Sequence, residues 1–384
     1  MRICYALLSP TFGMHQYTAD IANRMAYAGH EVHLVTTTFF PRDRYAPMVN
    51  IHTPLSLTTT GFSAEGLRLR DLRLVYSTIC DLQPDLIHFT GPHLWNVGLV
   101  RILAARDIPI VHSVHDLDPH QGTHFGALLR LWNRLIVHST QHILVHGQRY
   151  RDRLNASGVP AEHVTCTPLL HLFVGQPWMQ EAWRLASQVR YEPWALFFGR
   201  MERYKGVDRL LTACAMMSNA ATDTTRVVLA GPGDLAALWC DPIPRGVEVR
   251  NRLISDDEAL DLFRRCALLV LPYVDATQTA LIAAAYFFRK PVLVTRTGAL
   301  PEYVEDGHTG YITEPDHPAS LARCLEAMVS DPIRLAQMGS AGRLWYDAQR
   351  AAETRTMTEM YQRLANRESV KMPVGSYAMG RRSG

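Results

Sequence analysis

The sequence predicts an α/β protein built from two Rossmann-like halves that face each other across a cleft. Three observations carry this. Short continuous apolar runs recur, each bounded by turn residues and separated from the next by a stretch with helical spacing. The rhythm opens at Ile3, ends at Pro168 and restarts at Trp194. The chain has 384 residues, more than one hydrophobic core ordinarily holds, so two domains are expected. Strand and helix signals in alternation ask for parallel sheets with crossover helices.

In the first half, Ile3 to Leu8 reads as a buried strand. Ser9-Pro10-Thr11-Phe12-Gly13 reads as a turn, and Tyr17 to Tyr27 as a helix stopped by Gly29. Strand signals follow at Glu31–Thr36, Asp85–Phe89, Pro109–His115 and His142–Val145, with helical patterns at Leu94–Ala105 and Phe125–Thr140. Residues 172–193 mix polar and aromatic side chains without a period and read as an interdomain connection after a first domain of 1–171. The second half, 194–350, has strand signals at Trp194–Phe198, Arg226–Ala230, Ala267–Leu271 and Pro291–Thr295. Their unbroken apolar character suits sheets covered on both faces. Helical pattern runs from Pro318 to about Arg367, with 351–367 set apart as a last helical part. The polar, glycine-containing tail 368–384 reads as disordered.

Composition narrows the function classes. A net charge of +3 is too small for a nucleic-acid-binding face. Seven dispersed cysteines without a CxxC pair suit reduced thiols in a cytoplasmic setting. The opening MRICYALLSP reads as a strand rather than a leader, and no apolar run reaches the ~18 residues of a membrane span.

In open α/β sheets ligands bind beyond the carboxyl ends of the strands. After Phe198 come Gly199, Arg200 and, five further on, Lys205, in a loop entering a helix. A guanidinium, an ammonium and a helix N-terminus together suit a diphosphate; a solvated basic loop is the plain alternative. After Leu271 come Thr277, Gln278 and Thr279, expected at a helix start, where they either bind phosphate oxygens or cap the helix. Gly231 permits a close ligand or a tight turn. Glu302 suits a sugar or ribose hydroxyl, or a helix cap. In the first half, Gly13 in the first strand-to-helix loop leaves room for a phosphate or sugar. His115, followed by Asp116, suits a sugar hydroxyl or a structural pair. His112, His115, His120 and His124 crowd one stretch but match no metal-ligand spacing, and Asp116-Leu117-Asp118 is taken as a chance DxD.

These residues together resemble the family-four retaining glycosyltransferases, the glycosyl transferases group 1 type, over nearly the whole chain. The strongest part is Phe197-Phe198-Gly199-Arg200 with Lys205-Gly206-Val207-Asp208, supported by Ala230-Gly231-Pro232-Gly233, Thr297-Gly298-Ala299-Leu300-Pro301-Glu302 and Val114-His115-Asp116. The resemblance implies a GT-B fold, with the last helical part, 351–367, returning to the first domain, and it implies transfer, with retention, of a sugar from a nucleotide-diphosphate donor. It implies that Arg200 and Lys205 hold the diphosphate and stabilise the leaving group. His115 would contact the donor sugar, Gly13 would lie under the diphosphate or sugar, and Gly231 and Leu253 would frame the base. No metal or cofactor is implied, since cationic side chains do that electrostatic work. One departure stands out: the two glutamates usual in the family fall at Ala276 and Ala284, and Thr277-Gln278-Thr279 resembles a variant of that motif. A non-catalytic sugar-nucleotide-binding or glycan-binding relative is the alternative that this departure leaves open.

The expected partners are a nucleotide-sugar donor and a glycan, lipid-linked or small-molecule acceptor in polysaccharide or glycolipid assembly, with no nucleic acid. Phe125 to Ile136, with its leucines and Arg130 and Arg134, suits either packing on its own sheet or peripheral contact with the inner face of a membrane.

Overall fold

A computed structural model describes residues 1–59, 61–62, 68–117, 126–218 and 225–366. The start of the expected 125–140 helix, His120, His124, Asp118 and the tail from 367 lie outside them.

The described residues form two all-parallel sheets. The first contains β1 (Arg2–Leu7), β2 (Glu31–Thr37), β3 (Asn50–Leu55), β4 (Leu86–Phe89), β5 (Ile110–Ser113), β6 (His142–Val145) and β7 (Val164–Cys166), in the order β3-β2-β1-β4-β5-β6-β7. The second contains β8 (Trp194–Phe198), β9 (Arg226–Ala230), β10 (Val247–Arg250), β11 (Leu268–Leu271), β12 (Val292–Thr295) and β13 (Gly310–Thr313), in the order β10-β9-β8-β11-β12-β13. In each sheet the strand order reverses beside the first strand, between β1 and β4 and between β8 and β11. That is where an α/β sheet opens a crevice at its carboxyl edge. Central strands are buried on both faces: Ile3, Tyr5, Leu86, Leu196, Leu269 and Leu293 are fully covered.

The helices are α1 (Phe12–Tyr27), α2 (Leu69–Asp81), α3 (Asn96–Ala104), α4 (Gly126–Ser139), α5 (Gln148–Ala156), α6 (Gln176–Ala186), α7 (Val207–Met216), α8 (Asp256–Arg265), α9 (Leu281–Phe287), α10 (Pro318–Val329) and α11 (Pro332–Ala365). Two differ from expectation in ways that matter. Helix α1 starts at Phe12, so Gly13 sits in its first turn rather than in a loop; Met14 and His15 already donate their amides to the Thr11 carbonyl. The stretch 172–193 contains α6, whose Ala182 and Ala186 are buried. Trp178, Met179 and Leu185 pack against the core beside them, so 178, 179, 182, 185 and 186 do carry a helical spacing, and Trp183 on the outer face, packed edge-on against Phe287, breaks the contrast with the polar side.

Helix α11 runs unbroken through residues 350 and 351 and serves both sheets. Its first half packs against the second: Gly342 lies so close to Tyr286 that an added Cβ would meet the ring at 2.3 Å. Its second half buries Met357, Met360, Tyr361 and Leu364 in the core of the first sheet. The crossing point is held by charge. Arg350 binds Asp20 at 2.8 Å and Glu353 at 3.0 Å, and Arg24 binds Glu353 at 3.0 Å and Asp20 at 3.3 Å. Burial and the neighbouring Asp20 push the Glu353 carboxyl up, against the pull of Arg24 and Arg350. Asp20, with both arginines beside it, is pulled down to about 2 in spite of its burial.

Candidate active site

The carboxyl edges of the two sheets face each other, and polar contacts cross between them. Gln278 Nε2 donates to the His115 carbonyl at 3.4 Å, and Tyr150 of α5 donates its hydroxyl to the Thr277 carbonyl at 3.1 Å. Tyr303 donates to the His146 carbonyl at 2.8 Å and accepts the Leu169 amide at 2.9 Å. On the far side Arg44 reaches Asp256 at 2.9 Å and donates to the Phe173 carbonyl at 2.8 Å.

On the second sheet, the loop after β8 forms a 3-10 turn at Arg203–Lys205 and passes into α7. Its glycines are compelled by backbone proximity. Gly206 is left-handed at φ 65°, and a Cβ there would meet the Pro272 carbonyl at 2.0 Å. Gly231, at φ 144°, would drive a Cβ into the Gly199 carbonyl at 2.2 Å. Gly231 therefore admits a neighbouring loop of the same sheet, which is the structural reason for that glycine.

This packing sets Lys205. Its ammonium lies so close to Gly199 that a Cβ there would stand 3.0 Å from Nζ, and it also faces the rings of Tyr204 and Tyr273. Burial first, then the Arg200 charge, pushes the amine down to about 8, with Glu202 opposing. Arg200 is exposed and binds Glu202 at 2.6 Å. The Tyr204 carbonyl accepts the Val274 amide at 2.8 Å, which seats this turn beside the loop beyond β11 at the carboxyl edge of the second sheet.

On the first sheet, His115 is buried, and its Nε2 lies 2.9 Å from the Thr90 carbonyl. A carbonyl only accepts, so Nε2 carries the proton and Nδ1 presents its lone pair in the neutral ring. Burial lowers its pKa, against the Thr90 bond and the Asp116 charge. The ring stacks on His146 with centroids 4.9 Å apart and meets the edge of Tyr17 at 4.7 Å. Neither neighbour figured among the site residues of the sequence reading. The register does pair Ser113 with Leu144, so two residues beyond them His115 and His146 fall side by side. His112 is engaged elsewhere, by Asn96 at 2.9 Å and the Ser113 carbonyl at 2.8 Å.

Gly13 has open space around it: an added Cβ would find no atom within 4 Å. Leu253 is 81% exposed at the rim beyond β10. The other expected site residues are differently employed. Thr277, Gln278 and Thr279 precede α9 rather than beginning it; Thr277 is buried with its carbonyl also taking the Ala299 amide, and Thr279 Oγ1 accepts the Leu281 amide at 3.3 Å. Glu302 caps α5 of the opposite sheet, its carboxylate accepting the amides of Gln148 and Arg149. Capping across the cleft replaces the expected choice between a ligand hydroxyl and a cap on its own helix. Ala276 and Ala284 are both buried, 6% and 1% exposed.

No helix among the described residues is long and apolar enough to cross a membrane.

The sequence model of Glycosyltransferase Family 4 matches residues 13–169, and that of Glycosyl transferases group 1 matches residues 192–331. The chain is 25% identical over 374 residues to a D-inositol 3-phosphate glycosyltransferase of Catenulispora acidiphila, covering 88% of this chain and 86% of the relative. It is 23% identical over 365 residues to the D-inositol 3-phosphate glycosyltransferase of Corynebacterium diphtheriae, covering 86% and 84%. Among solved structures, sucrose-phosphate synthase from Thermosynechococcus elongatus matches with TM-score 0.73 at 17% identity, over 95% of this chain and 99% of the other. HepE of Anabaena, solved with UDP and glucose, matches with TM-score 0.67 at 16% identity, over 94% and 99%. The two halves of the chain thus match the two halves of one enzyme architecture, and the chain belongs to the family-four glycosyltransferases of the group 1 type.

Proposed function

We propose that this chain transfers a sugar from a nucleoside-diphosphate donor to an acceptor hydroxyl, with retention at the sugar carbon. The observation that carries this reading is the Lys205 ammonium, packed on Gly199 just beyond the carboxyl end of β8. Glu202, whose charge favours the ammonium, is paired with Arg200 at 2.6 Å. An amine so placed meets a diphosphate where charge grows as the glycosidic bond breaks, and a dry surrounding strengthens the interaction.

In this reading Arg200 leaves Glu202 to share the diphosphate, the open space at Gly13 admits the phosphate or sugar, and His115 Nδ1 accepts a hydrogen bond from a hydroxyl of the donor sugar. Leu253 borders the nucleobase. Glu302 and Thr277 are assigned to the seam between the lobes. The sugar is drawn from its diphosphate without a metal in the scheme, because Lys205 and Arg200 offset the departing charge. The acceptor enters from the first sheet.

The test is a thermal-shift screen against nucleoside diphosphates and their sugars, followed by transfer to candidate acceptors and determination of the product anomer. A donor bound to the folded state raises Tm by mass action. Absence of any shift, or an inverted anomer, removes the corresponding part of the proposal. Ala276 and Ala284 favour a second reading, a binder without turnover. Tight donor binding with neither transfer nor slow hydrolysis decides for it.

A further inference from the structure

Helix α1 carries a tyrosine that the transfer scheme does not use, yet three imidazoles gather on it. The Tyr17 ring stands edge-on to His115 at 4.7 Å, to His146 at 5.1 Å and to His171 at 6.1 Å, measured between centroids. Its hydroxyl lies 2.8 Å from Ser113 Oγ. Ser113 Oγ lies 2.8 Å from His88 Nε2, and His88 Nδ1 lies 2.6 Å from the Tyr361 hydroxyl, which reaches the Tyr5 hydroxyl at 3.2 Å. All five residues are buried. This line of bonds starts on α11, the helix that crosses from the second sheet, and ends on the ring against which His115 rests. The next residue of α1 holds His115 from another side. Thr18 Oγ1 lies 2.7 Å from Thr90 Oγ1, and the Thr90 carbonyl accepts the His115 Nε2 proton at 2.9 Å. Consecutive helix positions point about 100° apart, so Tyr17 reaches Ser113 at the end of β5 while Thr18 reaches Thr90 just beyond β4.

Apolar contact is non-directional, whereas a hydrogen bond fixes an orientation. A phenylalanine at 17 would fill the same space, but only the hydroxyl ties the ring to β5 and, through His88, to α11. Burial pushes the Tyr17 and Tyr361 phenols up and the His88 ring down, so the line carries no charge and acts by geometry alone. We infer that Tyr17 is a positioning residue for His115, and that Tyr361 fixes Tyr17 from the far end of the line. The seat of α11 in the first lobe thereby sets where His115 Nδ1 points. The consequence for turnover rests on the glycosyl-transfer reading, whereas the control of the ring does not.

The test follows turnover and the His115 ring together in the full chain. Tyr17→Phe keeps the aromatic ring and removes the bond to Ser113. Its kcat should fall roughly 10-fold, part of the ~100-fold that a small misplacement can cost, with little change in the donor KM. Tyr361→Phe should produce a smaller loss of the same kind. In the His115→Ala background neither change should lower kcat further, because both act through that ring. The imidazole carbon–proton peak of His115 in histidine-labelled protein, assigned by its absence from His115→Ala, should move in both variants. Ser113→Ala breaks the same line and stands in for a variant that circular dichroism shows to be unfolded. Losses that multiply with that of His115→Ala, or a His115 peak that Tyr361→Phe leaves in place, overturn the inference and make the tyrosines core residues only. A wild type without turnover would instead sink the glycosyl-transfer reading, and the ring peak then decides the inference by itself.

Discussion

Arg149, at the start of a helix on the first sheet, donates its backbone amide at 3.1 Å to Glu302, which stands after β12 of the second. One carboxylate thus offsets the positive end of a helix that belongs to the other lobe. Glu302→Ala should cost about 1 kcal/mol of stability, in the range of a lost helix cap. Urea unfolding measures that cost. Donor affinity, read separately by calorimetry, should change far less; a larger loss of affinity than of stability would return Glu302 to the ligand.

Lys205→Ala should lower kcat/KM by ~100-fold or more, as for other losses of a preorganised charge at a developing anion. Steady-state turnover of the donor identified by thermal shift is the measurement.

The same amine sets a pH dependence. Folding lowers Lys205 to about 8 from 10.5, so between those values the unfolded chain binds the more protons, and stability rises with pH across that window. Lys290, buried against the Arg190 carbonyl and Tyr191, is lowered to about 8 as well and adds to the same slope. Diphosphate binding has the opposite trend, because the anion needs the ammonium. Affinity should fall as pH rises through about 8, and Lys205→Met should flatten that profile while leaving the Lys290 contribution to stability.

Two glycines separate packing from binding. Gly231→Ala places a methyl 2.2 Å from the Gly199 carbonyl at φ 144°, and a cost of about 2 kcal/mol or more is expected, seen as a lowered Tm. Gly13→Ala meets no atom within 4 Å inside a helix, so stability should rise by up to ~1 kcal/mol. Donor affinity should nevertheless drop, because the methyl takes up the room the ligand needs.

Arg350→Ala leaves the buried Glu353 and the half-buried Asp20 carboxylates with Arg24 alone, and about 3–5 kcal/mol of stability should be lost. Chemical unfolding checks this. A change under ~1 kcal/mol would mean that water reaches the pair.

Much of the architecture was legible because it depends on local patterns. The apolar runs at Ile3, Leu86, Leu196 and Leu269 announce strands covered on both faces, and Gly199 with Lys205 marks the loop beyond β8. The strands Val247–Arg250 and Gly310–Thr313 escaped the reading. The first carries Glu248 and Arg250, and the second is partly exposed, so neither shows an unbroken apolar run. Helix α6 escaped it although Trp178, Met179, Ala182, Leu185 and Ala186 carry a helical spacing, because Trp183 on the outer face blurs the polar side.

The sequence by itself determined the two βα halves and the cationic loop, since strand burial and helix spacing are written in neighbouring residues. Only the tertiary structure decided what those residues face: that Gly231 makes room for Gly199, that Glu302 caps the opposite lobe, and that His146 lies against His115. Such pairings join positions far apart in the chain. They follow from the register of parallel strands and the docking of two sheets, which no local pattern encodes.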